Sequence, residues 1–265
     1  MMFAWILIII VSLFGCATGD SVKIEPIATY KHDSMCFTQG LILQDNVLYE
    51  SCGLTGKSSL RIVDYQTGQV LKRQRLEAKY FAEGIALLND RIYMLTWKNK
   101  QMLVFDAKTL TPLGDLAYET HTGEGWGLTY DGHHFITSDG SNRLTFFQPP
   151  SLDAKQLVKV KHIEVMHPTT NKPITHINEL QYVNGFIYAN IWYKDVIIKI
   201  DINSGAVVET YDLSALYPHK IRSPHADCLN GIAYNAVDGT FLLTGKKWPK
   251  YYSVNFGAIE GRKDL

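Results

Sequence analysis

Glu83 has the sharpest chemical prospect of any residue in this sequence. It stands in Phe81-Ala82-Glu83-Gly84-Ile85, beside a glycine that lets backbone or ligand come close. A carboxylate desolvated among indoles has its pKa raised, and it can then take and give a proton near neutrality. Trp97, Trp126 and Trp192 offer the apolar surroundings, Gln39, Asn178 and Asn230 offer amides, and Lys246 offers a cation. Brought together, they would form an aromatic box with polar fingers, suited to small organic groups or peptide ends. Glu124 lies two residues before Trp126 in Gly123-Glu124-Gly125-Trp126-Gly127 and is a candidate second acid. The plainer readings stand beside these. Glu83 or Glu124 could bond backbone amides at a bend, the tryptophans could pack blades, and Lys246 could be a solvated loop charge like Lys247.

These residues are scattered along the chain, so something periodic must bring them together. Five segments share one local pattern: Phe37-Thr38-Gln39-Gly40-Leu41, Phe81-Ala82-Glu83-Gly84-Ile85, Glu124-Gly125-Trp126-Gly127-Leu128, His176-Ile177-Asn178-Glu179-Leu180 and Cys228-Leu229-Asn230-Gly231-Ile232. Their central residues, Gln39, Glu83, Trp126, Asn178 and Asn230, are 44, 43, 52 and 52 positions apart. Each segment is followed by short β-rich runs bounded by Gly, Asn and Asp. Asp64-Tyr65-Gln66-Thr67-Gly68 and Asp201-Ile202-Asn203-Ser204-Gly205 place Gly where a hairpin turn needs positive φ.

Four strands per repeat of this length predict an all-β, five-bladed β-propeller with four-stranded blades. The fifth repeat lacks an obvious fourth strand, and residues 24–30 are expected to supply it and close the ring, which removes exposed edges. A two-sheet sandwich would account for the strands but not for the recurring slot. In a propeller the first strand of each blade lines the central channel. The slot residues should therefore meet at one mouth, joined by the ends of second strands: Trp97, Ser138-Asp139, Asn190, Trp192 and Thr244, with Lys246 beyond. Glu179 replaces the usual Gly of the pattern and could reach the site or brace a neighbouring blade. Residues 148–175 read as an outer hairpin plus a loop, and 213–226 as a covering loop with a short helical look.

The balance of 26 basic and 26 acidic residues carries no electrostatic footprint for nucleic acid. Met2 to Phe14 is almost wholly apolar, about right for a signal peptide and short for a membrane span. It ends in Leu13-Phe14-Gly15-Cys16, which resembles a bacterial lipobox. The expected organisation is therefore a lipoprotein-type signal peptide over 1–16 with Cys16 lipidated, a tether over 17–23, the propeller over 24–257 and a polar tail over 258–265. An ordinary secretory signal is the alternative. The expected setting is the bacterial periplasm, with membrane contact only through the lipid anchor. Cys36, Cys52 and Cys228 then allow one disulfide and one free thiol at most. No CxxC or Cys/His metal spacing occurs, and His133-His134 is a poor chelate because neighbours on a strand point to opposite faces. No metal or other cofactor is expected, and nothing demands an oligomer.

FTQGL, Tyr49-Glu50-Ser51 with Gly56-Lys57-Ser58-Ser59-Leu60-Arg61, EGI, LTW, GEGWGL, Ser138-Asp139-Gly140-Ser141, NEL with Tyr188-Ala189-Asn190-Ile191-Trp192, LNGIAY and Thr244-Gly245-Lys246 occur in order. Together, across residues 27 to 250, they resemble the plant and bacterial type of glutaminyl-peptide cyclotransferase. The resemblance implies a five-bladed propeller unrelated to the zinc-dependent animal enzymes. It implies a reaction that turns the N-terminal glutaminyl residue of a peptide or protein into pyroglutamyl and releases ammonia. By resemblance the catalytic carboxylate falls on Glu83. Substrate-binding roles fall on Phe37, Gln39, Trp97, Trp126, Asn178, Trp192 and Lys246. The three cysteines and the covering loops depart from the family pattern and leave substrate preference open. Two rival classes remain: a non-catalytic propeller that binds a peptide end or sugar, and a hydrolase with a channel Ca²⁺, for which Glu83, Asn178 and Asn230 are a thin ligand set.

Overall fold

The computed structural model describes residues 21–151 and 153–257. The expected signal peptide, Cys16 and the polar tail lie outside the described residues. Two short strands come first, β1 (Val22–Lys23) and β2 (Ala28–Lys31). The first blade is β3 (Thr38–Gln44), β4 (Val47–Cys52), β5 (Ser59–Asp64) and β6 (Gln69–Arg75). The second is β7 (Ala82–Leu88), β8 (Arg91–Thr96), β9 (Gln101–Asp106) and β10 (Pro112–Ala117). The third is β11 (Leu128–Tyr130), β12 (Phe135–Thr137), β13 (Arg143–Gln148) and β14 (Val158–Glu164). The fourth is β15 (Ile177–Val183), β16 (Phe186–Ile191), β17 (Val196–Asp201) and β18 (Val207–Asp212). The fifth holds β19 (Leu229–Tyr234), β20 (Phe241–Gly245) and β21 (Lys250–Val254), and β2 completes it by pairing antiparallel with β21.

The chain is thus a five-bladed propeller whose last blade is finished by an early strand, as the repeat predicts. Two details differ from the expectation. Val22 and Lys23, placed in the tether by sequence, pair in parallel with Tyr211 and Asp212 and add a fifth strand to blade four. Residues 148–175 contain β14, the outer strand of blade three, before the loop around Met166 and Pro173.

Strand periodicity explains the packing. Successive side chains on a strand point to opposite faces, so each blade feeds two inter-blade cores. Ile92 and Met94 of β8 pack with Tyr49, Leu60 and Ile62 of blade one. Tyr93 and Leu95 of the same strand pack with Phe135 and Phe147 of blade three. In blade five, Phe241 and Leu243 join Tyr188 and Ile197 of blade four, while Leu242 joins Leu48 and Val63 of blade one. The last two clusters close the ring. Innermost strands are mostly buried, and outermost ones such as β6 and β14 are mostly exposed.

Each of four inner strands carries a register shift at the slot: between Thr38 and Gly40, Ala82 and Ile85, Ile177 and Leu180, and Leu229 and Ile232. Such bulges leave residues out of the ladder and re-aim side chains. In blade three the ladder starts only at Leu128, and Trp126 precedes it. The glycines after the slot have a steric reason. A Cβ on Gly84 would overlap the Leu128 nitrogen, and one on Gly127 the Asn178 carbonyl oxygen.

Candidate active site

The bulges turn Gln39, Glu83 and Asn178 toward one mouth of the ring, and Trp126 joins them from just before β11. There a cavity of about 200 Å³ is lined by Gln39, Glu83, Trp126 and Asn178 from the slots and by Trp97, Trp192 and Lys246 beyond second strands. Phe37, in the segment before β3, also lines it. The cavity therefore unites the predicted candidates Glu83, Phe37, Gln39, Trp97, Trp126, Asn178, Trp192 and Lys246. Gln39, Glu83, Asn178 and Lys246 are 3–4% exposed and form its floor.

The walls are two aromatic arcs. Phe37, Phe81 and Trp97 succeed one another at ring-centroid distances of 6.2 and 5.6 Å. Trp126, Trp192 and Tyr193 do so at 5.3 and 4.6 Å. One carboxylate oxygen ties the arcs together: Glu124 Oε2 accepts the indole N–H of Trp97 at 2.7 Å and that of Trp126 at 2.9 Å. Lys98 sits over the Trp97 ring at 3.9 Å and 3.5 Å from Glu124 Oε1. The candidate second acid is therefore engaged behind the indoles and does not line the cavity.

Glu83 is held by its backbone. Ser51 donates its hydroxyl to the Glu83 carbonyl at 2.7 Å, and the Gly84 N–H reaches the Trp126 carbonyl at 2.7 Å. Its carboxyl has no hydrogen-bond partner among the described residues and faces the cavity. Burial pushes that carboxyl well above the usual glutamate range, opposed by the Lys246 charge and reinforced by that of Glu124. Lys246 Nζ lies 5.1 Å from the centre of the Phe37 ring.

Other residues named by the repeat serve behind the cavity. The Asn230 amide donates to the Thr38 carbonyl at 3.0 Å and to Gln39 Oε1 at 3.2 Å, so this slot residue orients its neighbour. Glu179 Oε1 accepts the Leu41 N–H at 3.3 Å, which braces blade four against blade one. Ser138 donates to the Asn178 carbonyl at 2.6 Å and accepts from Gly127 N–H at 2.8 Å. Asp139 accepts the Thr122 N–H at 3.1 Å and so steadies the loop that carries Glu124. Asn190 accepts the Gly231 N–H at 3.0 Å, and Thr244 donates to the Lys250 carbonyl at 2.8 Å.

Four lining residues were not singled out from sequence: Leu54, Phe81, Tyr193 and Asp227. Phe81 had a signal, since it precedes Glu83 as Phe37 precedes Gln39. Leu54 and Tyr193 owe their places to left-handed backbone, at φ 95° and 60°, which non-glycine residues seldom adopt. Asp227 has no counterpart in the repeat.

Cys36 and Cys52 are disulfide-bonded, so the cavity segments 37–39 and 53–54 each start beside the bridge. Cys228 is free and buried, and desolvation pushes its thiol up to about 11. His32, Cys36 and Glu50 offer donor atoms within 4.8 Å of one another, but the Cys36 sulfur is spent in the disulfide. His32 instead bridges the Trp248 carbonyl at 2.5 Å and Glu50 at 2.8 Å.

Known proteins share this architecture. A curated glutaminyl-peptide cyclotransferase of Arabidopsis thaliana is 35% identical over 251 residues, which cover 91% of this chain and 76% of the relative. The crystal structure of Myxococcus xanthus glutaminyl cyclase superposes with a TM-score of 0.77 at 32% identity, covering 89% of this chain and 98% of that one. The sequence model of glutamine cyclotransferases matches residues 7–256, and with it the whole ring of blades. The chain belongs to the glutamine cyclotransferase family.

Proposed function

We propose that this protein converts the N-terminal glutaminyl residue of peptides or proteins to pyroglutamyl with release of ammonia, using Glu83 as general acid and base and no metal. Family membership supports the reaction class. The observation that carries the residue assignment is the buried Glu83 carboxyl, without a hydrogen-bond partner among the described residues, in a cavity walled by aromatic rings.

The substrate brings its own nucleophile. Its α-amine attacks its γ-carboxamide carbon, a C–N bond closes the five-membered ring, and the bond to the departing nitrogen breaks. Holding the folded-back side chain is the largest task, and proximity of this kind supplies ~7 kcal/mol, the low end of the range for well-oriented intramolecular reactions. The arcs of Phe37, Trp97, Trp126 and Trp192 fit that task. The Glu83 carboxylate takes a proton from the attacking amine and returns it to the leaving nitrogen, which departs as ammonia. Burial makes that carboxylate more basic, which matches it to both transfers. Gln39, Asn178 and Lys246 supply donors for the oxygen that gains charge in the tetrahedral intermediate. The metal-free reading rests on donor chemistry. The floor presents one carboxyl with amides and an amine, and the His32–Cys36–Glu50 cluster has lost its thiolate.

The test is ammonia release from a short Gln-initiated peptide in the presence of chelator, for the parent and for Glu83→Gln with an unchanged circular dichroism spectrum. Turnover in the parent and its loss by about 10³-fold or more in the variant is expected, given the usual 10²–10⁴-fold contribution of a positioned acid–base. Full activity in Glu83→Gln refutes the assignment, and chelator-sensitive turnover refutes the metal-free reading.

A further inference from the structure

With glutamine on the cavity floor, the rest of a peptide substrate must leave toward solvent, and Tyr193 is the lining residue most exposed to it. Tyr193 is 67% exposed and is held at φ 60°. An exposed aromatic in a rarely populated backbone region commonly marks a functional position. Its ring continues the arc from Trp192, and it lines the same cavity as Asp227. Asp227 is half-buried. Its Oδ1 accepts the Cys228 N–H at 2.6 Å, and among the described residues no cation lies within ion-pair distance of its carboxylate. Nearby Asp195, by contrast, is paired with Arg222 at 2.9 Å and with His219 at 3.1 Å. Lys246 is buried against Phe37. The Asp227 charge is felt at the Tyr193 phenol, whose pKa it raises. An aromatic face next to an unpaired carboxylate is the chemistry that receives a cation.

Resting on the cyclase reading above, we infer that Tyr193 and Asp227 form a subsite for a lysine or arginine side chain at the second position of the substrate. The subsite then sets which Gln-initiated peptides the enzyme prefers.

The experiment compares kcat/KM for Gln-Arg-Ala and Gln-Glu-Ala in the parent, Asp227→Asn, Tyr193→Phe and Tyr193→Ala. Binding of the non-cyclising Met-Arg-Ala and Met-Glu-Ala is followed in parallel by tryptophan fluorescence. The parent should favour Arg over Glu, and added salt should shrink the ratio by screening. Asp227→Asn keeps the acceptor for Cys228 and should cut the ratio roughly fivefold, the scale of a partly exposed ion pair. Tyr193→Phe should keep the preference and Tyr193→Ala should lower it. An Arg/Glu ratio unchanged by Asp227→Asn overturns the subsite. Absence of ammonia from every Gln peptide overturns the cyclase reading instead, and the order of the Met-initiated peptides still decides the subsite.

Discussion

Replacing Glu124 tests whether its carboxylate anchors the box or carries protons. Both indole N–H groups, from Trp97 and Trp126, end on Oε2, at 2.7 and 2.9 Å. Truncation to Ala leaves two donors without their acceptor and uncouples the two aromatic arcs. Hydrogen bonds to charged groups contribute ~1.5–3 kcal/mol each. The Glu124 side chain is 27% exposed, so water can replace part of the loss, and two bonds on one oxygen are not additive. A combined loss of ~2 kcal/mol is reasonable, which is about 30-fold in kcat/KM. Lys98 adds little, being 60% exposed and 3.5 Å away. Glu124→Gln keeps one acceptor oxygen and loses the charge, so it should cost about half as much, ~1 kcal/mol or roughly fivefold.

The assay is initial-rate ammonia release over a range of peptide concentrations and pH. A loosened box should act mainly on KM, and Gln should be milder than Ala. Removing the Glu124 charge also eases ionisation of Glu83, because that charge is one of the causes holding the Glu83 carboxyl up. The acidic limb of the pH profile should therefore move to lower pH in Glu124→Gln. If Gln proves as damaging as Ala, with the loss in kcat and KM unchanged, Glu124 transfers protons and the anchoring argument fails.

Two further predictions concern stability. Folding raises the Glu83 pKa above the ordinary 4.5, so the unfolded chain ionises first as pH rises and stability is lost between 4.5 and the folded value. Glu83→Gln should therefore be more heat-stable than the parent at pH 7. The gap should narrow as pH falls from the folded value and be closed by about 4.5, and calorimetry showing a gap independent of pH would refute this. The Cys36–Cys52 bridge spans 16 positions and is buried, so loss through Cys36→Ala with Cys52→Ala should cost ~3 kcal/mol. At this chain length that lowers Tm by roughly 6–12 °C. An unchanged Tm would mean that the strand ladder alone holds those segments.

The repeat was legible in the sequence because four of the five blades carry a glycine where inner strands crowd the axis, with Glu179 in its place in blade four. The same crowding that excludes a Cβ at Gly84 and Gly127 makes the neighbouring slot stand out in the chain. Convergence of Gln39, Glu83, Trp126 and Asn178 followed from that period, and Phe81 could have been added by the same alignment. Asn230 occupies an equivalent slot yet turns to Gln39 and the Thr38 carbonyl, because a bulge sets where a side chain aims and its local sequence does not show the direction. Contacts between distant segments were similarly hidden. Three cysteines did not reveal a pair, whereas strand register does, since Thr38 stands opposite Cys52. His32 meets Trp248 only because β2 pairs with β21. Glu124, Tyr193 and Asp227 acquire their meaning from neighbours on other loops, and loops obey no period. The frame of the site is thus written in the repeat, and the groups that tune binding stand where the repeat lapses. Substrate preference should accordingly change more readily through residues 193 and 227 than through the slots, whose backbone the whole ring shares.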